Sequence, residues 1–180
     1  MSAPFHFVGL GGTLRVDSST ERALKAALGF AEERGATTAL ITGQALNLPP
    51  YEPERPERGE AAAALVAELR RADAVIVGSP GYHGGISGLV KNALDYVEDT
   101  RGDTRTYFDG LPIGCIATGA GWQGAVATLV QLRSVVHALR GWPTPLGVAI
   151  NTMGVGDPIA DDTVQAQIKM MVGQQLAFLG

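Results

Sequence analysis

An open α/β fold, with a parallel β-sheet covered by helices on both faces, is what this 180-residue sequence predicts. Two observations carry that prediction. Five short apolar runs alternate with five stretches of helical periodicity along the chain, the pattern of repeated βαβ units. Three of the runs also empty into glycine-bearing turns, and a turn at the carboxyl end of a strand is where open α/β sheets bind their ligands.

The elements follow in order. A first strand is expected over residues 5–10 and a helix over about 20–34; a second strand over 38–42 and a helix over 59–71 come next. The third strand, 74–79, holds Ala74, Val75, Ile76 and Val77 in an unbroken apolar run, as a parallel strand buried on both faces requires. In the helix expected over 87–98, Ile86, Leu89, Val90, Ala93, Leu94 and Val97 form one apolar stripe, and Lys91, Asn92, Asp95 and Glu98 fall mostly on the other face. Strand 111–118, helix 122–139, strand 146–150 and a last helix over about 162–178 complete the series. Right-handed crossovers would join the five parallel strands, and nothing in residues 1–180 suggests more than one domain.

Composition narrows the function. Hydrophobic residues make up 46% and charged ones 18%, so a packed core is expected rather than disorder. A net charge of −4 argues against a nucleic-acid partner. The single cysteine, Cys115, sits in an apolar run and reads as a small buried filler. No apolar run reaches the roughly 18 residues that span a bilayer, and the first residues lack a basic stretch before a signal core, so a cytoplasmic protein is expected.

Three turns carry the chemistry. After the first strand come Gly9, Leu10, Gly11 and Gly12, then Thr13, Arg15, Ser18, Ser19 and Thr20 at the start of a helix. Unpaired N–H groups and partial positive charge at a helix amino terminus stabilise an anion, and hydroxyls and a guanidinium add to that. Ser18 with Glu21 also spells a capping box, which only starts a helix. A degraded dinucleotide fingerprint is the weaker alternative, because Leu14 replaces its third glycine and the second strand ends in Ile41 and Thr42 without an acidic residue. The second turn, Pro80, Gly81, Tyr82, His83, Gly84 and Gly85, holds an aromatic ring among backbone groups that could lie flat on a planar ligand. The third is Thr118, Gly119, Ala120 and Gly121, followed by Trp122.

The order Pro80, Tyr82, Gly84, Gly88, Lys91, Asn92, Leu94, Asp95 resembles the signature of the NADPH-dependent FMN reductases, which reads roughly P-x-Y-x-G and then G-x-L-K-N-x-L-D-W. Val90 stands where that family usually has Leu, and Tyr96 where it usually has Trp. The resemblance implies a flavodoxin-like three-layer sandwich whose five-stranded parallel sheet has the order 2-1-3-4-5. The first turn resembles the family's G-S-x-R-x-x-S phosphate loop, with Thr13 in place of Ser, so Thr13, Arg15, Ser18, Ser19 and Thr20 would hold the FMN phosphate. Pro80, Gly81, Tyr82, His83 and Gly84 would lie beside the flavin ring, and Thr118, Gly119, Ala120 and Gly121 resemble the T-G-G loop on its other side. Ala120 departs from the usual glycine.

The activity so implied is FMN-dependent oxidation of NAD(P)H, with a hydride passing to the flavin and on to an acceptor such as free FMN or a quinone. The cofactor supplies that chemistry, so no catalytic side chain is assigned. A flavodoxin-type electron carrier and a non-catalytic flavin-binding protein are the alternatives. A homodimer or homotetramer is implied; no metal, membrane or nucleic acid is. The proline-bearing loop 43–60 resembles the family's L-P-x-Y-x-P stretch and reads as a stiffened connection or a cleft wall. Loop 99–110, with Arg101 and Arg105, reads either as an approach to the cleft, where arginines could meet nucleotide phosphates, or as an ordinary surface loop. His83 and Trp122 are open between a ligand contact and a structural role.

Overall fold

The computed structural model describes residues 4–154 and 156–180. Its elements are β1 (His6–Gly11), α1 (Ser19–Glu32), β2 (Thr37–Ile41), α2 (Glu60–Arg71), β3 (Ala74–Tyr82), β4 (Gly85–Ile86), α3 (Gly88–Asp95), β5 (Pro112–Gly119), α4 (Trp122–Ala138), β6 (Trp142–Pro143), β7 (Val148–Asn151) and α5 (Asp162–Leu179). Short 3-10 turns at Gly43–Leu46 and Tyr96–Thr100 follow β2 and α3.

The central sheet runs β2-β1-β3-β5, with β6 and β7 both on the outer edge of β5, and these neighbours are parallel. Five strands were expected, and seven are present among the described residues. One extra strand arises because the edge strand is split. Trp142 and Pro143 pair with the start of β5, Val148–Asn151 pair with its end, and the chain leaves the ladder between them. Pro145 has no N–H to donate, and Leu146 turns its N–H away to Gln174 Oε1 at 2.9 Å. The other is β4, which folds back antiparallel on the end of β3. So β3 extends past Ser79 to Tyr82, and the turn itself shrinks to His83 and Gly84. Both have positive φ, 53° and 81°, as a two-residue type I′ hairpin needs.

Alternation along the strands builds two cores. Val8, Leu10, Val75, Val77, Ile113 and Cys115 face α2, α3 and α4, where Leu65, Leu69, Val90, Leu94, Leu132 and Val136 meet them. Phe7, Ile76, Ile116 and Ile150 face α1 and α5, against Leu24, Leu28, Ile168 and Met171. Both faces of the sheet are buried, which explains the unbroken apolar strands. Burial pushes the Cys115 thiol up to about 12, so it stays protonated and acts as packing. No described helix is long and apolar enough to cross a membrane.

Candidate functional site

The carboxyl ends of β1, β3 and β5 surround a cavity of about 700 Å³. The chain runs from β1 outward to β2 and returns on the opposite side of β1 as β3, so the cavity opens at the point where strand order reverses. Close contact of β1 and β3 shapes its floor. A Cβ on Gly11, whose φ is 139°, would overlap the carbonyl oxygen of Gly78 and lie 2.7 Å from its carbonyl carbon. The next N–H, that of Gly12, donates to the same oxygen at 3.1 Å.

The first wall is the segment from Gly12 to Thr20. Thr13 folds it locally, its hydroxyl accepting the Arg15 N–H at 3.1 Å. Ser18 is the N-cap of α1 and accepts the Glu21 N–H at 3.2 Å. The Glu21 carboxylate reaches back to the N–H of Asp17 at 3.1 Å, one residue before the cap, so the expected capping box is present in shifted form. The remaining first-turn N–H groups have no acceptor inside the helix. Ion pairs nearby join Arg22 to Asp157 and Lys25 to Glu21, while Arg15 is exposed without a carboxylate partner among the described residues. The buried hydroxyls of Thr20 and Thr118 are hydrogen-bonded at 2.6 Å, tying this wall to the end of β5.

The facing walls are Pro80, Gly81 and Tyr82 at the end of β3 and Thr118, Gly119 and Ala120 at the end of β5. Tyr82 is 55% exposed, and its ring is available at the mouth. Gly81 is pressed against α4: a Cβ there would lie 2.7 Å from Thr128 Oγ1 and 3.1 Å from the Gly124 carbonyl oxygen. Ala120 does not adopt positive φ, so its departure from glycine strains nothing.

Of the fourteen residues the sequence singled out, eleven line this cavity. His83 and Gly84 form the hairpin turn beside it, with His83 exposed and the Gly84 carbonyl taking the Gln131 Nε2–H at 2.8 Å. Gly121, at φ 105°, starts α4 behind the wall. The sequence reading missed Gly12, Leu14, Ser87, Leu89 and Thr152, which complete the lining. Ser87 and Leu89 had an ordinary explanation as helix residues, and Ser87 does cap α3 by accepting the Val90 N–H at 3.2 Å. Thr152, just after β7, carried no motif signal. Trp122 is 61% exposed and lines a neighbouring hollow of about 400 Å³ that shares Thr152 with the first.

The arginines of loop 99–110 do not reach the cavity, so of the two readings of that loop the approach to the cleft is corrected. Arg105 lies at the opposite end of the sheet, where its guanidinium donates to the carbonyls of Leu69, Arg70 and Ala72 at 2.6–2.9 Å and closes α2. Burial holds its pKa down. Arg101 pairs with Glu98 on the surface at 3.6 Å. Helix carbonyls are strong local acceptors, and they claim a guanidinium that sequence alone could not aim.

The proline loop does not line the cavity; Asn92 on α3 and Tyr96 just after it clamp it instead. Asn92 accepts the Tyr51 N–H at 2.8 Å and donates to the carbonyls of Leu48 and Pro49, and the Tyr96 hydroxyl donates to Pro49 at 3.0 Å. Arg58 closes the clamp, bidentate on Asp99 at 2.6 and 2.8 Å and 4.7 Å from the centre of the Tyr51 ring. The Arg58 guanidinium holds the Asp99 carboxyl below its ordinary value of 3.8. A depressed carboxylate contributes stability that is full above its unfolded value and disappears as pH falls through the lowered one. Asp99→Asn is therefore expected to cost about 1–2 kcal/mol at neutral pH, a range that allows for partial screening by water. Its urea-unfolding curve should approach that of the parent below about pH 4; a gap that stays constant down to pH 3 would refute the clamp.

Comparison with known proteins agrees with this geometry. Residues 5–154 match the family model described as NADPH-dependent FMN reductase. An FMN-dependent NADPH-azoreductase of Staphylococcus saprophyticus is 31% identical over 121 residues, 64% of this chain; the match spans 61% of that relative's length. Among solved structures, FerB, a flavoenzyme NAD(P)H:(acceptor) oxidoreductase from Paracoccus denitrificans, superposes with TM-score 0.79 at 20% identity over 97% of both chains. A flavodoxin, WrbA-like protein from Agrobacterium tumefaciens superposes with TM-score 0.64 at 20% identity over 98% of both, so the fold is flavodoxin-like. With its motif residues placed around one switch-point cavity and the family model matched over five-sixths of its length, the chain belongs to the NADPH-dependent FMN reductase family.

Proposed function

We propose that the cavity at the ends of β1, β3 and β5 holds FMN and that the protein is an NAD(P)H-dependent FMN oxidoreductase. The observation that carries this is the pairing, in one 700 Å³ cavity, of a helix amino terminus and an uncommitted Arg15 at one end with an exposed Tyr82 ring and bare backbone at the other. That is the polarity of FMN, whose phosphate tail and flat ring differ in what they need. The family match and the azoreductase relative, named as FMN- and NADPH-dependent, support it.

Thr13, Arg15, Ser18, Ser19 and Thr20 would hold the phosphate through charge-assisted bonds and the unpaired N–H groups of α1. The α1 cap occupies one lone pair of the Ser18 hydroxyl and leaves its proton free to donate. Thr20 and Thr118 share one proton between them and retain a second to offer. Pro80, Gly81 and Tyr82 would flank the ring on one side and Thr118, Gly119 and Ala120 on the other, with His83, Gly84 and Gly121 setting the turns. Bound FMN would supply the redox chemistry, taking a hydride from NAD(P)H and passing electrons to an acceptor such as free FMN or a quinone. The chain's part is orientation and exclusion of water, so no side chain is assigned as acid or base. Residues 1–180 act as one FMN-binding unit in the cytoplasm. Fluorescence titration with FMN followed by steady-state NAD(P)H oxidation tests the reading. Saturable uptake with many turnovers supports it; uptake with at most one turnover would indicate a carrier or a binding protein instead.

Self-association belongs to the same proposal. Trp122, Val126 and Val130 form an i, i+4, i+8 stripe on α4 and are 61%, 47% and 62% exposed. A second copy covering that stripe would form one contact of a homodimer or homotetramer, beside the hollow that Trp122 lines. Val130→Glu should shift the protein to a smaller assembly in sedimentation velocity, to monomer if the parent is a dimer, and an unchanged profile would remove α4 from the interface.

A further inference from the structure

Asn151 is not one of the residues lining the cavity and belongs to no sequence motif, yet two cavity-forming loops converge on one of its atoms. It ends β7, in register with Gly119 at the end of β5. Its Oδ1 accepts the N–H of Gly121 and the N–H of Met153, both at 2.9 Å. Gly121 belongs to the turn that carries Gly119 and Ala120 into the cavity wall, and Met153 follows Thr152, which lines the same wall. The Thr152 N–H donates to the Gly119 carbonyl at 2.8 Å, so the two loops are laced together beside that oxygen. Gly121 is also the N-cap of α4, lacks a side chain to cap the helix, and sits at φ 105°. Its own N–H would lose this fixed acceptor if Asn151 were removed.

We infer that Asn151 is a positioning residue for the cofactor site: its carbonyl oxygen fixes the β5–α4 turn and the β7–α5 loop in one geometry, and so sets the wall formed by Gly119, Ala120 and Thr152. The inference rests on the FMN reading of the cavity, but its geometric half stands apart from it. The side chain works as a double acceptor, and the amide NH2 takes no part in either bond. A carboxylate has the same shape and accepts both N–H groups, whereas leucine has similar bulk and accepts neither.

The test compares Asn151→Leu and Asn151→Asp with the parent in two measurements. In the cofactor-free protein, amide hydrogen exchange at Gly121 and Met153 should quicken in Asn151→Leu and stay slow in Asn151→Asp. With FMN added, Asn151→Leu should bind about tenfold more weakly than the parent, and Asn151→Asp should bind more tightly than Asn151→Leu. Parent-like affinity in a folded Asn151→Leu, or an Asp variant no better than the Leu variant in exchange and affinity, would overturn the inference. If the parent itself takes up no FMN, the FMN reading fails, and the exchange pattern alone then decides whether Asn151 fixes the two loops.

Discussion

Gly11→Ala is expected to destabilise the protein by about 3 kcal/mol, through overpacking and backbone strain together. That corresponds to a fall in melting temperature of roughly 6–12 °C for a chain of this size. The position combines φ 139° with a Cβ that would meet the backbone of Gly78 on β3, and backbone of a central strand cannot step aside as a side chain can. Gly9→Ala is the internal comparison. Its Cβ would meet Leu28 Cδ1 at 3.0 Å and Leu40 Cδ1 at 3.3 Å, the far ends of flexible side chains, and Gly9 is not at positive φ. A net cost under about 1 kcal/mol is expected there, because the strain of shifting two side-chain ends is offset by the roughly 0.5–1 kcal/mol that alanine gains over glycine within a strand. Thermal melts of the two variants side by side check the argument, and equal melting temperatures would contradict it.

Arg15→Ala is expected to weaken FMN binding by about 1–3 kcal/mol, or roughly 5- to 150-fold, the range for hydrogen bonds to charged groups. Arg15 is exposed and makes no ion pair among the described residues, so its removal should leave folding intact and act on the ligand alone. Riboflavin, which has the ring and lacks the phosphate, separates causes. The variant should bind riboflavin as the parent does. An equal loss for both ligands would place Arg15 near the ring, and no loss for FMN would remove it from the site.

Much of this site was legible before the structure. Unbroken apolar strands and the change to helical period after Ser79 mark the sheet and its crossovers, because a strand buried on both faces admits little else. That the first turn would wall the cavity was visible in Thr13, Arg15 and Ser18, residue types that the anion binding proposed for it uses next to a helix start. What was not legible depends on tertiary placement. The split of the outer strand into β6 and β7 follows from where Leu146 finds its acceptor, on α5. Arg105 carries the same charge whether it meets a nucleotide or the carbonyls ending α2, and only the fold decides. Asn151 and Thr152 lay outside every motif, since their role comes from ending a strand beside Gly119. Asn92, a signature residue, and Tyr96, which departs from the signature's Trp, were by contrast noticed in the sequence, and the structure gives them the task of clamping the proline loop.

The central claim is that the cavity holds an FMN that NAD(P)H can reach. Protein reconstituted with FMN and freed of excess should be mixed with NADPH, and separately with NADH, under strict anaerobic conditions while its visible spectrum is followed. Loss of the yellow flavin absorbance with at least one of the two, and its return on admitting a quinone or air, is the predicted result. A yellow protein whose absorbance persists in both nucleotides would contradict the account.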